Sequence, residues 1–567
     1  MDPKKYIPTR KTLLGVTYDH YRLADGADLY VTEFGRPFLR HLLPENWLEP
    51  EWFSKSREAL QGTSTVYKIK TRPVAGAGKD LVVKWCRVGE DVPMDTFTRL
   101  KFIEADFNSP YEEFSLLLEM RTRARPGTIR THKPLAIFVP AERLELWQTG
   151  RSQSKIDYKK AQYRDVELDI YRQYILIYEW IKGVASTETT AAQAAQAAGF
   201  ADAESFNLAM TDRSIEDMRQ AGYRVLDVKP QHVIVRPRPN GGLLRDRSGR
   251  TAYALVDFEL LERTPEYGRQ AKQERRQTYL ERQRDRFRPL FRPGSYPRHL
   301  HPVRILGVDY VHGDCDSTRG KLWVVGRDPH LFDYFLPERW RRTPRQSLSD
   351  TAQVYHTKTK DDVQLVWKVS QVGDPAQPAH MPTAVATHGY NSPFEEFEFA
   401  FQMAEAGVPA TYPRAIYMLG HHSTLPPEAL DPRRYESHRD LRMPDGAPVL
   451  QRERNYITIW GYWNGTDDAV AGEELRRDHC RGINGLQALA AGRIDERQLQ
   501  AATKKMTRLL AAAGAESCGL LATHYLLTLS PQNELVRDPD GTLAVRLCNF
   551  EFLRWQNRPV RCESDHQ

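Results

Sequence analysis

The sequence predicts an α+β protein of two tandem domains, each containing several strands and helices. Three observations support this prediction. The second half of the chain repeats the first. Each copy contains runs of β-branched and aromatic residues of strand length, and apolar residues at helical spacing follow these runs. At 567 residues, the chain is long enough for several domains.

The repeat consists of short blocks that recur in the same order. TSTVYKIKT returns as TAQVYHTKT, LVVKWCRVGED as LVWKVSQVGDP, NSPYEEF as NSPFEEF, and LVDFELLER as LCNFEFLRW. The spacing between equivalents is nearly constant, at 284 residues from Lys84 to Lys368 and 292 residues from Asp257 to Asn549. Two copies indicate tandem domains rather than a solenoid.

Within the first copy, local patterns predict the order of the elements. Four strands are expected in TVYKIKT, KDLVVKWCRV, LAIFVP and YILIYEWI. A helix is expected from Pro110, where Ser109 can cap it and proline suits the first position. An alanine-rich helical region follows, and NGGLLRDRSGRTAYALVDFE is predicted to form a hairpin that leads into Asp257.

A basic segment separates the two copies. Residues 269–298 hold ten basic and three acidic residues; a helix-forming first part is followed by a part broken by proline and glycine. We therefore predict a first domain over 1–268, a basic helical linker over 269–298, and a second domain over 299–567.

Composition restricts the class of protein. The net charge of +7 and a pI near 8.9 are a mild basic excess for this length, which permits an anionic partner without requiring one. The six cysteines are scattered, without C-x-x-C pairs, as expected in a reducing compartment. No secretory or membrane-spanning segment is predicted, so we expect a cytoplasmic protein that does not bind membranes.

The stretch RVLDVKPQHVIVR, residues 224–236, and the later VDFE suggest a chemistry. Together with a lysine in a strand and a glutamate in a helix, they follow an order that resembles the protein-kinase-like superfamily. The resemblance is to its atypical and small-molecule-kinase-like members, such as the aminoglycoside phosphotransferases. It implies an antiparallel-sheet N-lobe and a reduced helical C-lobe in each domain.

The resemblance also implies a nucleotide site that uses ATP. Its cofactor-binding positions correspond here to Lys84, Glu113, Gly62, Tyr178 and Glu179. Lys84 would hold phosphates, Glu113 would orient the lysine, and Tyr178 and Glu179 would begin the hinge. Glu112 is nearly as good a candidate as Glu113 for the helix partner, and Gly62 is what remains of a glycine-rich loop.

The same resemblance implies the catalytic and metal positions. Asp227 would orient or deprotonate the attacking hydroxyl, and Lys229 would stabilise the transferring group. Asp257 and His232 would hold Mg²⁺, with Mn²⁺ as an alternative because imidazole suits it better. His232 stands where the family has asparagine, so a purely structural role for this histidine also stays open.

Other departures limit the resemblance. Glu259 replaces the glycine of the family's D-F-G, and only about a dozen residues separate Asp257 from the basic segment. No peptide-binding platform is evident, which argues against an ordinary protein kinase. The second copy keeps Lys368 and Glu396, but has Gly519, Leu521 and Asn549 where the first has Asp227, Lys229 and Asp257. It is predicted to be a pseudokinase.

Three functional hypotheses follow. The first is an atypical kinase, or another phosphoryl or nucleotidyl transferase, acting from the first domain on a small-molecule or protein acceptor, with an inactive structural or regulatory second domain. The second is a non-catalytic tandem pseudokinase scaffold. The third is a protein that binds nucleic acid through the basic linker. The alternative interpretation of this segment is a solvated, charged helix between the two domains.

Overall fold

The structure is a computed structural model. It describes residues 7–60, 65–86, 108–123, 129–143, 172–198, 200, 202–288, 296–341, 343–349, 352–375, 387–422, 429–462, 481–517, 519–530 and 532–556. The chain forms two compact units. The first comprises residues 1–272 and 297–299, and the second comprises residues 273–296 and 300–567.

The first unit contains an eight-stranded antiparallel sheet. Its strands are β1 (Thr9–Leu13), β2 (Val16–Arg22), β3 (Asp28–Val31), β4 (Arg57–Ala59), β5 (Val66–Lys70), β6 (Asp80–Trp85), β7 (Pro134–Val139) and β8 (Ile175–Glu179). They lie in the order β1-β2-β3-β7-β8-β6-β5-β4. The four strands predicted from sequence are confirmed as β5 to β8, and four further strands extend the sheet on both sides.

Smaller strands complete the first unit. They are β9 (Val184–Ala185), β10 (Tyr223–Val225), β11 (Val233–Val235), β12 (Tyr253–Leu255) and β13 (Leu261–Arg263). β12, β11 and β9 form a three-stranded sheet, and β10 pairs with β13. The predicted hairpin is confirmed within its own stretch, where Arg245 and Thr251 form an antiparallel bridge. The pairing continues outward as β11 and β12, from Val233–Leu255 to Val235–Tyr253.

The helices of the first part of the chain follow the predicted order. They are α1 (Leu39–Leu42), α2 (Pro50–Ser56), α3 (Pro110–Arg123), α4 (Ala191–Ala198), α5 (Ala203–Gln220) and α6 (Pro265–Arg284). Short 3₁₀ turns lie at Arg36–Phe38, Pro44–Asn46, Ser186–Glu188 and Pro230–His232. The predicted helices at Pro110 and in the alanine-rich region are α3 and α4, and the basic segment begins as α6.

The second unit repeats this architecture. Its main strands are β14 (Leu300–Ile305), β15 (Val308–Cys315), β16 (Gly320–Val325), β17 (Arg345–Ser347), β18 (Val354–Lys358), β19 (Gln364–Val369), β20 (Pro413–Met418) and β21 (Tyr456–Gly461). Its smaller strands are β22 (Arg481–Asn484), β23 (Ala515–Ser517), β24 (Tyr525–Leu529), β25 (Val545–Leu547) and β26 (Leu553–Trp555). Its helices are α7 (Pro337–Trp340), α8 (Pro393–Glu405), α9 (Arg433–Ser437), α10 (Gly485–Ala490) and α11 (Glu496–Ala512), with a 3₁₀ segment at Pro329–Phe335.

Strand order confirms that the sequence repeat is a repeat of the fold. The second large sheet runs β14-β15-β16-β20-β21-β19-β18-β17, which is the first order shifted by one copy. The small sheets β22-β24-β25 and β23-β26 match those of the first unit. The predicted α+β class, with two tandem domains of a sheet and a helical part, is therefore observed. In the part of the chain that the structure describes, no helix is both long enough and apolar enough to span a membrane.

Candidate functional site

Lys84 lies at the centre of the first unit's buried charges. It is on β6, between β5 and β8, and strand alternation sends Val83 into the apolar core while Lys84 faces the other side of the sheet. Only 4% of Lys84 is exposed. Its Nζ lies 2.6 Å from Asp257 Oδ1, 3.1 Å from Glu259 Oε2 and 3.8 Å from Glu113 Oε1.

These three carboxylates explain how the lysine stays charged. Burial alone would lower the pKa of Lys84, but the negative charges of Asp257, Glu113 and Glu259 raise it above its ordinary value. One buried ammonium thus faces three carboxylates, of which Glu113 is buried and Asp257 is partly exposed. Removing the ammonium would leave like charges buried together, which is strongly unfavourable.

The NSPYEEF block gives its two glutamates different functions. Ser109 Oγ accepts a hydrogen bond from the Glu112 backbone N–H at 3.2 Å, and Glu112 Oε2 accepts one from the Ser109 N–H at 3.0 Å. This reciprocal pair is a capping box at the start of α3. Glu113 points inward and is 1% exposed. Glu113, not Glu112, is the glutamate beside Lys84.

Tyr178 completes the environment of Glu113. Its hydroxyl donates to Glu113 Oε1 at 2.5 Å, while Glu113 Oε2 has no hydrogen-bond partner in the described part of the chain. Burial raises the pKa of Glu113 to about 7, although Lys84 and Tyr178 act in the opposite direction. At neutral pH this carboxyl therefore exchanges a proton, which lowers the excess of negative charge around Lys84.

Sequence reasoning missed His132. The ring stacks on Tyr178 with centroids 3.8 Å apart and meets Phe258 edge-on at 5.5 Å. Burial, together with Lys84, lowers the pKa of His132 to about 3, so the imidazole is neutral at physiological pH. The repeat could not reveal it, because strand pairing places Thr411 at the equivalent position of the second unit.

Asp257 has an unusual backbone. Its φ is +69°, in the left-handed region that few residues other than glycine adopt. The preceding strand is held from both sides, because β12 pairs with β11 and the Leu255 N–H donates to the Arg130 carbonyl at 2.7 Å. Burial would raise the pKa of Asp257, but Lys84 and His232 bring it down to about 2. This carboxylate is ionised and partly exposed, with 30% of its side chain accessible.

His232 ends the 3₁₀ turn Pro230–His232. Its carbonyl accepts the Val256 N–H at 3.1 Å, which fixes the loop to the segment before Asp257. Its ring Nε2 lies 3.7 Å from Asp257 Oδ2, and its Nδ1 has no hydrogen-bond partner among the described residues. The side chain thus faces the carboxylate while the backbone anchors the loop.

Asp227 and Lys229 pair with each other. Lys229 Nζ lies 2.8 Å from Asp227 Oδ2, and both side chains are nearly half exposed. In the part of the chain that the structure describes, no hydrogen bond or ion pair joins either one to the Lys84 group. The structure therefore brings together Lys84, Glu113, Asp257, His232 and Tyr178, and leaves the two predicted catalytic residues at the surface beside that group's loop.

Glu179 is paired with two lysines other than Lys84. Glu179 Oε1 lies 3.2 Å from Lys79 Nζ, and Glu179 Oε2 lies 3.2 Å from Lys133 Nζ. Gly62 lies outside the described residues. The side chain of Tyr178 is directed into the interior toward Glu113, so any hinge contact from this residue would come from its backbone.

The second unit keeps the lysine and two glutamates. Lys368 Nζ lies 2.9 Å from Glu551 Oε1 and 3.5 Å from Glu396 Oε2. Asn549 stands at the position of Asp257, and its Oδ1 accepts the Glu551 backbone N–H at 3.0 Å. The glutamate two residues after Asp257, and its counterpart after Asn549, is thus a partner of the lysine in both units.

The two histidines are used differently. Nδ1 of His524 accepts the Leu521 N–H at 3.2 Å, and its ring stacks on Phe552. Its carbonyl accepts the Cys548 N–H at 3.0 Å, as the carbonyl of His232 accepts that of Val256. The shared function is therefore the backbone anchor. Among the described residues, the ring of His232 faces a carboxylate and the ring of His524 does not.

The possible metal ligands in this region are the side chains of Asp257 and His232. No group of three or more His, Cys, Asp or Glu side chains able to hold a metal occurs among the described residues. Asp257 and His232 offer one carboxylate and one imidazole. Mg²⁺ commonly takes one or two carboxylates and completes its shell with phosphate oxygens and water. The donors fit a cation that arrives with a nucleotide, not one held by the protein alone.

The arginines of the basic segment make ion pairs within the second unit. Arg275 pairs with Asp361 at 2.7 Å and with Asp333 at 2.8 Å, and Arg282 pairs with Asp328 at 2.9 Å. Two arginines that could bind the phosphate groups of a nucleic acid are therefore already paired with three carboxylates of the second unit.

Comparisons with known proteins give a limited likeness. No family model matches the chain, and no curated protein matches it. Two solved structures of WbdD are similar in part: a co-crystal structure with the kinase inhibitor LY294002, at 13% identity over 39% of this chain, and a 2.2 Å crystal structure, at 12% identity over 40%. Both TM-scores are 0.16. The match spans only 38% and 43% of the length of the WbdD chains.

Proposed function

We propose that the first unit binds ATP with a divalent metal and transfers its terminal phosphoryl group, acting as an atypical kinase. The observation that carries this proposal is the ion pair between buried Lys84 and the partly exposed, left-handed Asp257. A lysine and an ionised aspartate in this relation suit a nucleotide phosphate and its metal, and the second unit has Asn549 in place of the aspartate. The acceptor is a small molecule or a protein.

In this proposal each residue has a defined task. Lys84 would exchange Asp257 for phosphate oxygens, remaining oriented by Glu113 and Glu259. Asp257, thus released, would bind the metal, and His232 would steady the carboxylate. Asp227 would orient the acceptor hydroxyl and Lys229 would face the transferring group. The bound metal would neutralise phosphate charge, which is the main requirement of phosphoryl transfer.

A second candidate is a non-catalytic scaffold. The observation in its favour is that the lysine is held by two glutamates in both units, although the second has lost the aspartate. An arrangement that persists without catalytic residues has a structural function in at least one unit. Under this proposal, the same charges would stabilise the fold of both units and neither would turn over ATP.

Slow ATP turnover distinguishes the two candidates. The kinase proposal predicts metal-dependent ADP formation by the full chain, with water as a poor acceptor, measured by coupled assay. Asp227→Asn should abolish it while ATP binding persists, whereas Asp212→Asn on exposed α5 should change neither. ATP binding without any turnover in the wild-type protein would favour the scaffold and contradict transfer.

A further inference from the structure

An asparagine joins the start of the glutamate helix to the turn that carries Asp257. The backbone N–H of Asn108 donates to the Glu259 carbonyl at 2.9 Å. Its side-chain Nδ2 donates to the Leu261 carbonyl at 2.9 Å and approaches that of Phe258 at 3.4 Å. Asn108 directly precedes the capping Ser109, so these bonds fasten the D-F-E turn to the first residue of the helix cap.

The second unit makes the same connection independently. The Asn391 N–H donates to the Glu551 carbonyl at 3.2 Å. Its Nδ2 donates to the Phe550 carbonyl at 2.7 Å and to the Leu553 carbonyl at 3.1 Å. Two copies whose catalytic positions have diverged thus preserve one set of contacts, which explains why the NSP block is so well kept.

The connection acts on a strained turn. A non-glycine residue with positive φ persists only when its surroundings fix it, and Asp257 is such a residue. The bonds from Asn108 hold the two residues that follow Asp257 and, through Ser109, the helix that carries Glu113. Glu113 and Asp257, which both contact Lys84, are therefore parts of one connected body.

The two units differ in how firmly this body is held. Asn391 Oδ1 accepts from Arg434 Nη2 at 3.0 Å and also from Arg554. Arg434 additionally binds Glu395, the capping glutamate of α8, at 3.0 Å. Among the residues that the structure describes, none donates to Asn108 Oδ1, and the position of Arg554 is taken by Glu262, which pairs with Arg224.

We propose that Asn108 is a positioning residue that couples α3 to the D-F-E turn, so that Glu113 and Asp257 approach or leave Lys84 together. In the second unit, Arg434 and Arg554 hydrogen-bond to Asn391 and hold the equivalent connection in place; we call these two arginines the clamp. Any effect of nucleotide on the positions of Glu113 and Asp257 rests on the proposed function. The coupling between α3 and the D-F-E turn is a property of the fold and does not require nucleotide. Among the residues that the structure describes, these arginine contacts occur in the second unit alone.

Hydrogen exchange of the full-length protein tests the coupling without nucleotide. Asn108→Ala should accelerate exchange about tenfold or more, the value of a lost hydrogen bond, in both segments 109–118 and 255–263. The β1–β2 hairpin should be unchanged. Asn108→Asp keeps the size of the side chain but cannot donate a hydrogen bond when ionised. It should give the same acceleration, and it replaces the alanine variant if that variant folds poorly. Acceleration of only one segment, or of the whole unit uniformly, would overturn the coupling.

The clamp is tested by Arg434→Ala, which leaves Asn391 in place. Segments 392–401 and 547–555 should both exchange faster, because Asn391 and Glu395 lose their contacts with Arg434 and only Arg554 remains on Asn391. Unchanged exchange in either segment would overturn the clamp. Arg439→Ala, which removes an exposed arginine just after α9, is the matched control and should have no effect.

Nucleotide provides a readout that a merely structural asparagine would not move. ATP with Mg²⁺ should slow exchange in both first-unit segments of the wild-type protein, but only in segment 255–263 of Asn108→Ala. Protection of both segments in the variant would overturn the proposal. If ATP protects neither segment in the wild-type protein, the proposed function fails, and the coupling is decided by the comparison without nucleotide.

Discussion

At the scale of single residues, the first unit is defined by one ammonium among three carboxylates. Lys84 is the cation, and Asp257, Glu259 and Glu113 surround it. Such a group is stable only while its charges balance. The balance depends on two protonation states. The pKa of Glu113 is raised, which favours its neutral form, and the pKa of Asp257 is lowered, which favours its ionised form.

The first prediction concerns removal of the cation. Lys84→Met should destabilise the first unit by about 3–5 kcal/mol, the usual cost of leaving buried charges uncompensated, as measured by urea unfolding. Lys68→Met removes a lysine of the adjacent strand whose partner Glu58 is largely exposed, and should cost at most about 1 kcal/mol. Equal losses for the two variants would contradict the proposed charge balance.

The second prediction concerns pH. The pKa of Glu113 rises to about 7 on folding, so its contribution to stability is complete below its ordinary value and is lost as pH rises toward 7. Glu113→Gln should abolish this loss. The expected result is that the variant gains stability relative to the wild-type protein between pH 5 and pH 8. A difference in the free energy of unfolding that does not change with pH would contradict the raised pKa.

Asp257 should behave in the opposite sense. Its pKa falls to about 2 in the folded protein, so its contribution is present at neutral pH and is lost as pH falls below its ordinary value toward 2. Asp257→Asn should therefore show a smaller loss of stability than the wild-type protein between pH 5 and pH 3. Parallel acid-unfolding curves would contradict the assignment.

At the scale of elements, one short block carries several separate functions. In NSPYEEF, the asparagine holds the D-F-E turn, the serine and first glutamate cap α3, and the second glutamate faces Lys84. The sequence predicted the helix start and left the two glutamates nearly equal. Their burial could not be distinguished by spacing alone, because adjacent positions point about 100° apart on a helix and only packing shows which faces the sheet.

The third prediction separates these functions. Ser109→Ala should cost about 1 kcal/mol through loss of the cap without altering the pH dependence that Glu113 produces. Ser392→Ala should cost more in the second unit, where the same box is present and Ser392 Oγ also forms a hydrogen bond with His438 Nε2 at 2.9 Å. The measurement is urea unfolding at pH 5 and pH 8. A serine variant that changed the pH dependence would show that capping and charge are not separable.

Strands also show what the sequence can and cannot predict. The β-branched and aromatic residues of KDLVVKWCRV indicated a strand, and β6 confirms it. His132 was missed because it is a lone histidine before a strand, with no partner nearby in sequence. Its neighbours Tyr178 and Phe258 come from distant segments, so only the folded chain shows the stack.

At the scale of the whole molecule, the repeat made the fold predictable. Because the matched blocks occur in the same order in both copies, the strands were expected in the same order, and the two eight-stranded sheets have equivalent strand orders. The size of the sheets was not predicted, because the strands before residue 60 were not assigned from the sequence. Glu259 was recognised from the sequence as a substitution, but its pairing with Lys84, and the pairing of Glu551 with Lys368, required the structure.

The most direct test of the account is ATP binding by the full-length protein with Mg²⁺, followed by calorimetry and thermal unfolding. The account predicts one ATP per chain and a raised melting temperature. Asp257→Asn, which gives the first unit the residue found in the second, should abolish both, and Lys368→Met should leave the stoichiometry unchanged. Absence of binding in the wild-type protein, or binding that survives Asp257→Asn and is lost in Lys368→Met, would contradict it.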